Sequence, residues 1–256
     1  MDCIVKVNET LSMDTFYLSL EPVGGAPSIT PGQFVMIKAG FTFDPLLRRP
    51  MSVADFAKDG TRIGLVIKIA GAGTRILSTL MSWDRINLLG PFGNGFKVPD
   101  STKNVWIVCG GTGVAPFLGL IENTAPETVA YTVFLGARTA EQILFAPRLE
   151  KAGAKVVTVT EDGSLGEKGL VTDVFKKAMQ TESKPGAVLT CGPTGMMKQV
   201  ASISEEYGIL CQVSLENQMA CGFGACLGCV AKTRNGDDYL TVCRAGPVFD
   251  STRLAL

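Results

Sequence analysis

Cys221, Cys226 and Cys229 stand in the spacing C-x4-C-x2-C, and Cys243 follows after thirteen intervening residues. Thiolates are soft ligands, and three of them in this spacing on one loop are the pattern that holds a [2Fe–2S] centre. Gly222 and Gly224 leave room in the loop for backbone amides to approach bridging sulfides. The segment VAKTRNGDDYLTV between Cys229 and Cys243 reads as a hairpin turning at Asn235–Gly236, which would return Cys243 to the other three. A structural four-cysteine zinc site is the competing reading, as are unliganded buried thiols; zinc sites use a C-x2-C pair twice, and one such pair occurs here. Cys3, Cys109 and Cys211 lie in apolar runs and read as core residues.

Other residues could grip phosphate. Val108-Cys109-Gly110-Gly111-Thr112-Gly113-Val114-Ala115-Pro116 lies between an apolar strand pattern and a helix pattern, where glycines permit a tight turn and close approach of a pyrophosphate. Cys191-Gly192-Pro193 ends a later strand. Arg49-Pro50-Met51-Ser52 opens a strand and offers a guanidinium beside a hydroxyl. Gly71-Ala72-Gly73-Thr74 lies at another strand end.

What must position these groups follows from periodicity. Up to about residue 100, CIVKVNET, FYLSLEP, GQFVMIKAG, RIGLVIKIAG and DRINLLGP read as short strands, spaced as in an antiparallel barrel of about six, with one or two helical turns at 74–81. From 101 to 213 the apolar strands VWIVCGG, TVFLGAR, KVVTVTED and AVLTCGP alternate with the helix patterns TGVAPFLGLIENTA, AEQILFAPRLEKAG, LVTDVFKKAMQ and GMMKQVASISEEYG. That alternation predicts an α/β unit with a parallel sheet. Residues 214–256 are glycine-rich, carry four of the eight cysteines and lack the apolar content for a core of their own, so a metal centre is expected to organise them. The expected chain is therefore multi-domain: barrel 1–100, α/β domain 101–213, cluster domain 214–256.

Composition narrows the chemistry. The 256 residues carry 24 basic and 24 acidic side chains and no histidine. A balanced charge argues against nucleic acid or an anionic membrane as the main partner. The missing histidine excludes a Ser-His-Asp triad, an HExxH zinc site and a Rieske centre. Asp2, Lys6 and Glu9 interrupt the N-terminus, so no signal peptide is read there. A cytosolic protein with reduced cysteines is expected.

A barrel with R-P-x-S and G-x-G-T, followed by a sheet with GGTG-x-AP and a late CGP, resembles the ferredoxin–NADP reductase superfamily over residues 1 to about 210. The resemblance implies FAD in the barrel and a pyridine nucleotide on the sheet. Carried over residue by residue, it implies that Arg49 holds the FAD pyrophosphate and that Ser52 hydrogen-bonds near the flavin N5. Pro50 and Met51 stand between them, Met51 where the family has an aromatic residue. Gly73 and Thr74 become the second pyrophosphate grip, and Val66, Ile67 and Lys68 line the flavin or adenosine. Gly111, Thr112 and Gly113 face NAD, and Cys191 positions the nicotinamide.

Over the full length, SLENQMACGFGACLGCV and VCRAGPVF further resemble the family of dihydroorotate dehydrogenase B electron-transfer subunits. That family implies Cys221, Cys226, Cys229 and Cys243 as [2Fe–2S] ligands and an FMN-containing catalytic partner subunit, two of each chain forming a heterotetramer. It implies an oxidoreductase subunit of pyrimidine biosynthesis that passes electrons from the partner's FMN through [2Fe–2S] and FAD to NAD+. Related subunits of hydrogenase, sulfide dehydrogenase or ferredoxin:NADP reductase type are the second reading, and a non-catalytic redox sensor the third. The nucleotide is expected to be NAD by resemblance; Arg138 could reach either a 2′-phosphate or the pyrophosphate.

Overall fold

The computed structural model describes residues 1–40, 44–125 and 127–256. β1 (Asp2–Ser12), β2 (Thr15–Pro22), β3 (Phe34–Ile37), β4 (Arg49–Phe56), β5 (Ile63–Lys68) and β6 (Arg85–Phe92) close into a barrel in the order β1-β2-β5-β4-β3-β6, as expected. Its interior is filled by alternate residues of each strand, among them Val5, Leu18, Val35, Ile37, Leu65 and Ile67. A short helix, α1 (Ala72–Ser78), covers the turn after β5.

The second unit is built from β7 (Asn104–Gly110), α2 (Ala115–Glu122), β8 (Ala130–Ala137), α3 (Ala146–Lys151), β9 (Lys155–Thr160), β10 (Glu167–Lys168), α4 (Val171–Thr181), β11 (Ala187–Cys191), α5 (Thr194–Glu206) and β12 (Cys211–Ser214). The strands run parallel, in the order β10-β9-β8-β7-β11-β12. β7 shows why its sequence is continuously apolar. Val105, Ile107 and Cys109 pack toward α2, while Trp106 and Val108 pack on the opposite face with Phe134 and Phe175. Chain order reverses between β7 and β11, so the loops after both strands open on one crevice at the carboxyl edge.

Two expectations need correction. The single helix expected over 140–153 is broken: Ala140–Gln142 is a 3-10 turn, Phe145 has φ 61, and α3 starts only at Ala146 with Pro147 in its first turn. The last segment is also less separate than expected. After β13 (Val230–Lys232), β14 (Tyr239–Thr241) and α6 (Val242–Ala245), the chain forms β15 (Val248–Asp250), which pairs antiparallel with β12 and becomes the edge of the nucleotide-type sheet. The hairpin β13–β14 forms as expected, with Gly236 at φ 78 in its turn.

Barrel and sheet are joined by polar as well as apolar contacts. Asp55, fully buried on β4, accepts hydrogen bonds from Tyr17 Oη (2.9 Å), Arg62 and Arg148 Nη2 (2.8 Å); Arg148 also holds Glu122 through Nε (2.5 Å). A buried carboxylate with three donors is satisfied, and these donors come from both units. A methyl on Gly64 would lie 2.5–2.6 Å from the Tyr17 hydroxyl and the Asp55 carboxylate, so the pair occupies the space a side chain would need. Among the described residues, no helix is long and apolar enough to cross a membrane.

Candidate functional site

The crevice between barrel and sheet is a cleft of about 870 Å3. Its floor is the carboxyl edge of β7 and β11: Gly111, Thr112 and Gly113 on one side, Gly192, Pro193 and Thr194 on the other. Gly111 has φ 54 and open space where a side chain would stand, so bare backbone faces the cleft. Gly113 serves a different purpose. A Cβ there would lie 2.3 Å from the Cys191 carbonyl oxygen, so this glycine lets the two loops touch. The barrel contributes Thr15 and Lys68, whose ammonium pairs with Asp14 at 3.1 Å.

Cys191 ends β11 between Cys109 on β7 and Ser214 on β12. Burial, with Glu216 and Cys109 nearby, raises its thiol well above the usual range, against an opposing hydrogen bond with Ser214. It is a neutral, packed group beneath the cleft and supplies neither a nucleophile nor a base. Glu216 is not marked out by any motif of the sequence. It follows β12 on the same carboxyl edge and opens to the cleft, and the protein around it raises its carboxyl. The apolar CQVS run of β12 was the available signal: a strand there puts the next residues on the ligand edge.

A second cluster lies on β4 and the β5–α1 turn. The Arg49 guanidinium packs on Gly73, where a Cβ would come within 2.9 Å of Nε; Arg49 donates to the Leu47 carbonyl and, among the described residues, forms no ion pair. Pro50, Met51 and Ser52 follow, half-buried, along the strand. The Thr74 hydroxyl builds the turn instead of reaching outward: it accepts from the amides of Ala70 (2.9 Å) and Gly71 (3.2 Å) and donates to the Gly71 carbonyl. On β5, strand alternation turns the Ile67 side chain into the barrel core, leaving Val66 and Lys68 facing outward.

The four clustered cysteines come together as two pairs. The Cys226 amide donates to Cys221 Sγ (3.5 Å), and the Cys243 amide to Cys229 Sγ (3.4 Å). Burial acts to raise the Cys221 thiol, but the amides of Cys226, Phe223 and Ala225, with the Cys226 thiol, outweigh it and bring Cys221 down to about 6. Burial and the sulfurs of Cys229 and Cys221 push Cys243 up to about 12, against the Gly224 amide. Amides aimed at sulfur suit thiolates shared with a cluster. Among the described residues, no three or more Cys, Asp or Glu side chains are disposed to hold one metal ion. Four thiols gathered with amides aimed at sulfur are the donor set a [2Fe–2S] centre uses.

This loop is seated against the barrel. A Cβ on Gly222 would meet Met36 Cγ at 2.4 Å, and Phe223 lies 6.3 Å from Phe92. Met36 on β3 is directly opposite Pro50 on β4. One strand therefore separates the cysteine loop from the Arg49–Ser52 strand.

The chain is 39% identical to the dihydroorotate dehydrogenase B (NAD(+)) electron transfer subunit of Caldanaerobacter subterraneus subsp. tengcongensis, over 97% of this chain and 96% of the relative. It is 38% identical to the subunit of the same description from Clostridium acetobutylicum, over 99% and 97%. The chain belongs to this family of electron transfer subunits. The family model described as the iron-sulfur cluster binding domain of dihydroorotate dehydrogenase B matches residues 216–255, and that of the oxidoreductase NAD-binding domain matches 107–202. Among solved structures, an NADH-dependent reduced ferredoxin-NADP oxidoreductase superposes with a TM-score of 0.87 at 27% identity, over 98% of this chain and 89% of that one. A ferredoxin NADP+ reductase from Neisseria gonorrhoeae, at 19% identity and a TM-score of 0.69, shares the fold over 81% of this chain and 91% of its own.

Proposed function

We propose that this member of the family links a dihydroorotate-oxidising catalytic subunit to NAD+, with FAD in the barrel, NAD in the cleft and a [2Fe–2S] cluster in the cysteine loop. The observation that carries this is the contact of Gly222 with Met36, directly opposite Pro50. It seats the loop of Cys221, Cys226 and Cys229, with Cys243 of α6 beside it, one strand away from the phosphate-type cluster of Arg49 and Gly73, while the cleft opens between the same barrel and the sheet. When bound, a flavin exchanges a hydride with a nicotinamide and single electrons with an iron–sulfur centre.

The chain's own residues bind and orient. Arg49, which forms no ion pair among the described residues, would hold the FAD pyrophosphate with the Gly73 and Thr74 backbone, and Pro50, Met51 and Ser52 would line the flavin. Val66 and Lys68 bound it through side chains and Ile67 through its backbone. Gly111 and Thr112 receive the NAD pyrophosphate, Gly113 keeps their loop against β11, and Cys191 packs beneath the nicotinamide. Cys221, Cys226, Cys229 and Cys243 would supply the four thiolates that hold the cluster. Functionally, the chain divides at 1–100, 101–213 and 214–256, although β15 returns to the sheet. The partner carries FMN, and two of each chain form the complex in the cytoplasm.

The test is dihydroorotate-dependent NAD+ reduction by the anaerobically purified complex. Turnover that requires this chain is expected. A catalytic subunit that reduces NAD+ equally well alone would overturn the proposal.

A further inference from the structure

We propose that Asp55 is a positioning residue for hydride transfer: through Arg148 it clasps the barrel to the sheet and sets the separation between a flavin along β4 and a nicotinamide over β11. This rests on the placement of both groups proposed above. The acid is aimed by a β-bulge. Val53 is opposite Leu65 and Phe56 opposite Ile63, so β4 carries one residue more than β5 across this stretch. Val53 and Phe56 both stay in the barrel core, while Ala54 joins the core of the sheet unit and Asp55 meets Arg148. The extra residue thus turns two successive side chains outward, toward the sheet.

Three observations make this acid a clasp. Its donors come from both units: Tyr17 Oη (2.9 Å) and Arg62 from the barrel, Arg148 Nη2 (2.8 Å) from the sheet. Glu122 accepts from the same Arg148 Nη2 at 2.9 Å, so two acids meet two guanidinium groups around a carboxylate wholly shielded from solvent. Arg148 is also preset. Phe145, at φ 61, starts α3 with its ring edge-on to Tyr17 at 6.2 Å, and the guanidinium lies 5.9 Å from the Tyr17 ring. Finally, the elements tied here are those that carry the ligand loops. β4 runs from Arg49–Ser52 straight to Asp55, and α2 runs from just beyond the Gly111–Gly113 loop to Glu122. Gly119 lets that helix close on β4, since a Cβ there would lie 3.2 Å from the Ala54 carbonyl. Strand and helix are stiff over the roughly 10 and 12 Å between loop and clasp, so a slip at Asp55 is passed on to the spacing of the two ligands.

The experiment is stopped-flow reduction of the FAD-loaded complex by NADH, in which a hydride from NADH and a solvent proton turn FAD into FADH2 and leave NAD+. Flavin content and calorimetric binding of ADP-ribose, which lacks the nicotinamide, are measured beside it. Two variants are compared with the wild type: D55N, and R148K, whose single ammonium cannot fork between Asp55 and Glu122. Each is expected to slow the transfer about ten- to a hundredfold, the scale of a misplacement of about 1 Å, with flavin content and ADP-ribose affinity within about twofold of wild type. The long-wavelength charge-transfer absorbance of the flavin–nicotinamide pair should weaken in both. The double variant should be no slower than the slower single one, because both changes break one contact. Should D55N lose its flavin, R148K carries the test alone. An unchanged transfer rate and charge-transfer absorbance in R148K overturns the inference. So does a slowing in R148K matched by an equal loss of flavin or of ADP-ribose binding, which would make the network a support of the fold only, and so does multiplicative slowing in the double variant. A wild type whose flavin NADH does not reduce would refute the placement of flavin and nicotinamide, and the inference with it.

Discussion

The same side chain does opposite work in two regions of this protein. Cys3 in the barrel and Cys109, Cys191 and Cys211 in the sheet are buried thiols, and burial drives each of them upward, Cys3 to about 11 and Cys211 to about 12. In the loop of residues 221–229, amides aimed at sulfur bring Cys221 down to about 6. The difference is made by backbone. In a strand, each amide is spent on the neighbouring strand and none is left for a thiol. In a loop with Gly222 at φ 82 and Gly224 at φ 92, the ladder is absent and amides turn toward sulfur. At Cys221 the free N–H groups of its neighbours decide the outcome, whereas Cys243, with the Gly224 amide set against burial and two nearby sulfurs, is pushed up to about 12.

The largest expected effect tests the loop side of that contrast. C226S should reduce dihydroorotate-linked NAD+ reduction to background while NADH oxidation by an artificial acceptor persists; unimpaired partner-linked turnover would remove the loop from the path. The matching change in the sheet, C191A, should leave the visible spectrum of the cluster unaltered.

An intermediate effect is expected at Arg49. R49A should raise the FAD dissociation constant about ten- to a hundredfold, since a hydrogen bond to a charged group contributes about 1.5–3 kcal/mol. Flavin content after dialysis reads this directly, and full retention would contradict the assignment.

The smallest effect sharpens the sheet side. Cys211 is raised from an ordinary 9.0, so above pH 9 the unfolded chain releases a proton that the folded chain retains. The unfolded state then gains relative to the folded one, and stability falls as pH rises from 9 toward 12, by up to about 1.4 kcal/mol per pH unit for each such thiol. C211A should flatten this slope in urea unfolding measured between pH 8 and 11. An identical slope in the variant would show that the thiol is not held protonated.

Much of this was legible in the residues. Apolar strands buried on both faces, such as VWIVC, and turn-bounded strands in the first hundred residues announce the sheet and the barrel because their burial pattern is local. The cysteine spacing announces the cluster for the same reason. What escaped depends on contacts between distant segments. β15 is three residues long and acquires its meaning only by pairing with β12. Ile67 reads as one more lining residue until strand alternation turns it inward. Glu161 and Glu216 look like ordinary surface acids, and only the strand order brings both to one cleft. Thr74, assigned to phosphate by its neighbours, is taken up by its own turn.

The central claim is that the four clustered thiols, three on the loop and Cys243 on α6, hold two irons, where a strand thiol would hold none. Iron, acid-labile sulfide and zinc analysis of the anaerobically purified protein, with its electron paramagnetic resonance spectrum after reduction, tests this most directly. The account predicts two irons and two sulfides per chain and a [2Fe–2S] signal that C226S abolishes and C191A does not. One zinc per chain in a protein without that signal would contradict it.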